Sequence, residues 1–128
     1  MKTTIYTLLA FLLLFSCSSD DESTPSNNIV GEWTIYKYTN PFGTFESDLN
    51  CGFNFVEFKS NNTYNSIDYY ENSCEVFEIW DGTWEINANA LTFNKNTDDP
   101  SVATIQSITN TQMILSYPES NETIYYKR

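Results

Sequence analysis

The chain has 128 residues, with 17 acidic against 6 basic side chains and a formal net charge of −11. A field of that sign repels phosphate backbones and argues against nucleic-acid binding. Histidine is absent, which removes the commonest general base, the usual zinc ligand and the usual switch near neutral pH.

The first element is an apolar run, Ile5 to Phe15, preceded by Lys2 and closed by Ser16 and Cys17. It is shorter than the roughly 18 apolar residues needed to span a bilayer. A charged start, an apolar middle and a small residue before the cut read as a secretory signal over residues 1–16. Leu14-Phe15-Ser16-Cys17 resembles the lipobox of bacterial lipoproteins. That resemblance implies cleavage before Cys17 and its acylation, palmitate included. The other reading is a plain cleaved signal with a cysteine beside it by chance. Several acyl chains would anchor the protein stably, since each buried methylene contributes about 0.8 kcal/mol.

Residues 17–28 carry Ser18-Ser19-Asp20-Asp21-Glu22 and then Ser, Thr, Pro and Asn, with no apolar periodicity. Such a segment is a solvated tether. Its acidic cluster also resembles the surface-export signals of some gram-negative lipoproteins; a plain polar linker is the alternative. The expected location is the cell envelope, as an outer-membrane lipoprotein, and the export resemblance implies the cell surface.

Residues 29–128 then suffice for one small domain. They read as short strands at Gly31–Thr39, Phe53–Lys59, Thr63–Tyr70, Val76–Ile86, Ala90–Asn94, Val102–Ile108, Gln112–Tyr117 and Glu122–Lys127. Between them stand Ser60-Asn61-Asn62, Asn87-Ala88-Asn89, Thr109-Asn110-Thr111 and Pro118-Glu119-Ser120-Asn121, all rich in turn formers. No segment has a sustained helical apolar period. Asp81-Gly82 interrupts the fourth strand and reads as a bulge or a tight turn. A bulge leaves eight strands, which can close and abolish both edges. The expected fold is all-β, an eight-stranded antiparallel up-and-down barrel with no substantial helix beyond the signal. Its interior has room for side chains or one small ligand.

If Cys17 is acylated, Cys51 and Cys74 remain as the candidate disulfide in an oxidising envelope. Two free thiols are the alternative, though no C-x-x-C spacing supports it.

Gly31-Glu32-Trp33 matches the G-x-W of lipocalins, and Gly82-Thr83-Trp84-Glu85-Ile86 with Leu91-Thr92-Phe93 resembles the central signature of bacterial lipocalin-like lipoproteins. Ile105-x-x-Ile108-x(4)-Met113-Ile114-Leu115 resembles their penultimate hairpin. The resemblance covers roughly residues 29–128. It implies that Trp33 packs at the closed end of the barrel under a basic residue, Lys127 or Arg128. Against the classical lipocalin pattern these residues lack two of the motifs, and no C-terminal helix is expected within them.

Alternation along the strands nominates inward side chains. Trp33, Ile35 and Lys37 share a face, which puts Lys37 at the open mouth facing an anionic headgroup or reaching solvent. Ile35, Lys37, Phe58, Trp84, Phe93, Leu115 and Tyr126 are the candidate ligand-binding residues, and Gly31, Trp33 and Arg128 the base motif. Tyr36, Tyr38, Tyr69, Tyr70 and Tyr125 are left for an outer surface suited to a protein partner. No nucleophile has an adjacent base, and the acidic pairs read as solvated faces. No catalytic residue, metal site or cofactor is expected. The leading function is a lipid-anchored barrel binding a small apolar or amphipathic molecule. The alternative is a cavity-less surface interaction or structural module.

Overall fold

Apolar residues at every second position need a sheet with one wet and one dry face, and this chain solves that by curling. The computed structural model describes residues 29–46, 54–70 and 73–128. The signal, the tether, Cys17 and Cys51 lie outside them. The strands are β1 (Gly31–Asn40), β2 (Gly43–Glu46), β3 (Phe55–Phe58), β4 (Thr63–Tyr69), β5 (Val76–Asn87), β6 (Ala90–Phe93), β7 (Ser101–Ile108), β8 (Gln112–Tyr117) and β9 (Glu122–Lys127). From β3 to β9 each pairs antiparallel with the next, and β1 pairs with both β3 and β9. These eight strands close the expected up-and-down barrel.

Two details depart from the sequence reading. First, β2 is a ninth strand. It pairs with the far half of β1, Lys37 opposite Glu46 to Asn40 opposite Gly43, beyond the stretch held by β3. Its turn is signalled by Asn40-Pro41-Phe42-Gly43: Asn40 Oδ1 accepts the Phe42 N–H at 2.9 Å, and Gly43 has φ 149°, backbone that glycine adopts without strain.

Second, Asp81-Gly82 is neither bulge nor turn. Asp81 faces Asn65 and Gly82 faces Tyr64 in unbroken register. Glycine is needed there for space. A Cβ on Gly82 would overlap the side-chain carbonyl of Asn94. The bulges lie elsewhere: at Tyr36, where the β1–β9 register slips, at Phe77 between the Asp68 and Tyr69 pairs, and at Gln106. The last explains the odd spacing of Ile105 and Ile108, which an unbroken strand would send to opposite faces. With one extra residue between them, both pack on the core.

The core fills the closed end. Trp33, Leu91, Met113 and Leu115 are fully buried, with Phe58 and Ile29 beside them. Each such burial contributes about 1.5–3 kcal/mol. The Trp33 indole N–H donates to the Ile29 carbonyl at 2.6 Å, so its one polar atom is satisfied. Arg128 covers the same ring, its guanidinium carbon 4.1 Å from the ring centroid. Its Nη1 donates to the Val30 carbonyl at 2.9 Å and its Nε to the Asn110 carbonyl at 2.7 Å. One cation thus ties the entry to β1, the β7–β8 turn and the end of β9. Gly31 stands against it: φ is 124°, and a Cβ would lie 3.0 Å from Arg128 Nη1. Both constraints explain the glycine of G-x-W.

Trp33→Ala should cost about 3–5 kcal/mol by denaturant melting, and Arg128→Ala about 1–3 kcal/mol. Deleting the last six residues should abolish cooperative unfolding, because it removes a barrel stave. A truncated chain that melts like the full one would contradict this closure. Gly82→Ala should cost about 1–3 kcal/mol from crowding. Adding Asn94→Gly should restore part of that; single costs that simply add would show that the two residues do not meet.

Candidate functional site

The longest strand makes the site by changing partner. From Val76 to Thr83, β5 pairs with β4; from Trp84 to Asn87 it pairs with β6. Asn94 stands where the two pairings part. It has φ 52°, its Oδ1 accepts the Thr83 N–H at 3.1 Å, and its Nδ2 donates to the Tyr64 hydroxyl at 3.2 Å. Beyond it the β4–β5 ribbon and the segment 94–101 diverge. A cavity of about 590 Å³ opens between them.

Val56, Tyr64, Trp80, Phe93, Tyr117 and Tyr126 make its apolar and aromatic walls. Ser66, Asn94, Thr97, Asp99 and Ser101 supply polar groups. Large apolar surface with a few polar groups is the composition of a small-molecule site. The floor is an aromatic stack: Tyr64 meets Phe93 edge-on at 5.1 Å between centroids, and Phe58 lies 5.7 Å from Trp84. The Trp84 indole N–H is satisfied by the Thr63 carbonyl at 3.0 Å.

The deep wall holds two coupled phenols. The hydroxyls of Tyr117 and Tyr126 act on each other's ionisation. Burial pushes Tyr117 up to about 12 and Tyr126 well above the ordinary phenol range, so both stay neutral at physiological pH. Asp68 follows Tyr64 and Ser66 on the same strand face and its charge is felt by Tyr126. Its carboxyl is raised above the ordinary value, first by burial and then by Glu78, its cross-strand partner.

Of the residues nominated from sequence, Phe93 and Tyr126 line the cavity. Phe58, Trp84 and Leu115 are buried beneath it in the core, and Ile35 packs on that core from its edge. Lys37 does not face inward. The bulge at Tyr36 resets the alternation, so Lys37 falls opposite Tyr125 rather than beside Tyr126. Its Nζ lies 3.8 Å from the Tyr125 ring centroid, on the outer face. Gly31, Trp33 and Arg128 sit together at the closed end, away from the cavity. Trp80, Tyr64, Ser66 and Tyr117 were missed. For Trp80 the signal was present: it is four residues before buried Trp84 and shares its face in an unbroken strand. The bulge expected at Asp81-Gly82 hid that parity.

The tyrosines expected outside are largely engaged within the chain. Tyr36 meets Tyr125 edge-on at 6.3 Å, with Lys37 and Lys127 near the rings. Tyr38 stacks on Phe45 at 5.1 Å. Among the described residues no three of His, Cys, Asp and Glu gather as a metal site, and no helix is long and apolar enough to cross a membrane.

The fold has solved relatives. A lipocalin-like protein from Bacteroides uniformis superposes with a TM-score of 0.61 at 10% identity, covering 79% of this chain and 98% of that one. An uncharacterized protein from Bacteroides eggerthii gives 0.57 at 13% identity, covering 78% and 99%. At these identities the likeness concerns the fold alone. No curated protein matches the sequence. The family model described as a lipocalin-like domain matches residues 29–115, which take in the G-x-W base and the Gly82–Phe93 signature. The chain is a member of the lipocalin-like domain family.

Proposed function

We propose that this protein is a binding module rather than a catalyst, holding a small apolar or amphipathic molecule in its barrel while a lipid on Cys17 anchors it in the cell envelope. The observation that carries the binding reading is the cavity of about 590 Å³ with aromatic walls. A small-molecule site needs about 300 Å³ or more. A barrel acting only as a surface or structural module would need no such space, and a core of this size could have filled it.

The anchor rests on the sequence around Cys17, and the outer-membrane location rests on the anchor. A Cys51–Cys74 disulfide fits an oxidising compartment. What supports it is that acylation of Cys17 would leave Cys51 and Cys74 as the two remaining cysteines of the chain. By the loop-entropy model such a bridge would contribute about 3 kcal/mol.

Native mass spectrometry of protein released gently from its own membrane should show a bound small molecule. Ser66→Trp, which places an indole in the cavity, should lose it. A wild-type spectrum free of any adduct, with a Ser66→Trp variant of unchanged stability, would favour the structural module. Cys17→Ala should move the protein from the membrane to the soluble envelope fraction or block its processing. A variant that still partitions with membranes would refute the anchor.

A further inference from the structure

The cavity has a charge that its aromatic walls alone do not set. Every cation of the chain except Lys2 is described, and none lines the cavity. Lys37 and Lys127 lie against Tyr125 and Tyr36 on the outer face. Lys59 pairs with Glu57 and Lys95 with Glu85, and Arg128 is fixed over Trp33. The carboxylates are distributed otherwise. Asp99 is part of the lining. Asp68 continues the face of Tyr64 and Ser66, and Glu78 continues that of Trp80 across the same ribbon. Ser66 and Trp80, which line the cavity, oppose each other, and Asp68 opposite Glu78 is the next pair along on that face, just outside the lining. Two like charges on directly opposed residues, about 4.5–5.5 Å apart at Cβ, repel each other.

From this we infer that the cavity selects an organic cation: an ammonium group held between the Asp68–Glu78 pair and the aromatic faces of Trp80 and the tyrosines, with an apolar body directed at Phe93 and Val56. The inference rests on the binding reading above and gives its ligand a chemical class. Three effects act in the same direction. A cation relieves the repulsion of the opposed carboxylates. It is attracted by the negative faces of aromatic rings, the basis of aromatic cages for ammonium ligands. It is drawn in by the long-range field of a chain with net charge −11, which raises the on-rate for cations and lowers it for anions. An anionic ligand, by contrast, would meet no positive side chain to pair with in the lining.

The pair also predicts a trade between stability and binding. Asp68 stands opposite Glu78 on β5, and its charge is felt by Tyr126 on β9. Its folded pKa is raised above the ordinary 3.8. The folded state therefore holds that proton more tightly than the unfolded chain does. The stability this gives is full below 3.8 and is lost as pH rises through the folded value. Above that value the charge on Asp68 is a cost of folding.

The test uses three ligands with one body: 4-phenylbutylammonium, 4-phenylbutan-1-ol and 4-phenylbutyrate, titrated calorimetrically at pH 7 and low salt into the full-length protein in zwitterionic nanodiscs, with empty discs as the blank. The ammonium should bind at least about tenfold more tightly than the carboxylate, with the alcohol between. Asp68→Asn and Glu78→Gln should each weaken the ammonium several-fold and leave the alcohol unchanged, while Asp68→Asn raises the melting temperature at pH 7 but not below the ordinary carboxylate value. If the alcohol and the carboxylate bind as tightly as the ammonium, the cation inference falls and the binding reading stands. If none of the three binds, both fall. Equal loss of all three ligands in Asp68→Asn would also overturn the inference, because it would mark Asp68 as a scaffold residue only.

Discussion

The Arg128 guanidinium lying over the Trp33 ring is the contact on which the rest of this structure depends. A meander of antiparallel strands has two raw edges, and here they are β1 and β9. Pairing them removes the edges, but the seam is short and slips by one residue at Tyr36. Arg128 reinforces it at the closed end, reaching Val30, Asn110 and the indole at once. Gly31 exists to let it come close. Because the strands are fixed at this end, they are free to part at the other.

Parting is what makes the cavity. A sheet in which β5 followed β6 along its whole length would close over the interior and leave nothing to bind. Instead β5 follows β4 beyond Thr83, and Asn94 satisfies the Thr83 N–H that would otherwise be left open. Gly82 is the steric condition for that contact. The motif by which the family is recognised therefore positions the opening as well as the core: Trp84 and Phe93 face each other just below it, and Trp80 stands just above.

Strand positions were legible because turn chemistry was strong. Asn62 and Asn121 take positive φ, where asparagine is tolerated and most residues are not. The base was legible because Gly31, Trp33 and a terminal cation form a short pattern with a resemblance behind it. The site was only half legible. Alternation finds inward residues as long as no bulge intervenes, and a bulge leaves little trace in sequence. The one expected at Asp81-Gly82 was absent and concealed Trp80; the one at Tyr36 was unsuspected and turned Lys37 outward. The strand β2 escaped because four mostly exposed residues carry no apolar pattern. The cavity itself depends on where pairing partners change, which is a property of the whole sheet and of no single segment.

The central claim is a barrel locked at one end and parted at the other. Amide hydrogen exchange of the full-length protein, resolved by residue, tests it most directly. The account predicts that amides of the seam and base, from Trp33 to Ile35 and in β9, exchange only by global unfolding. Amides of the upper β4–β5 ribbon, from Ile67 to Tyr69 and from Glu78 to Trp80, should exchange through smaller local openings. Seam amides that exchange faster than those of the ribbon would contradict it.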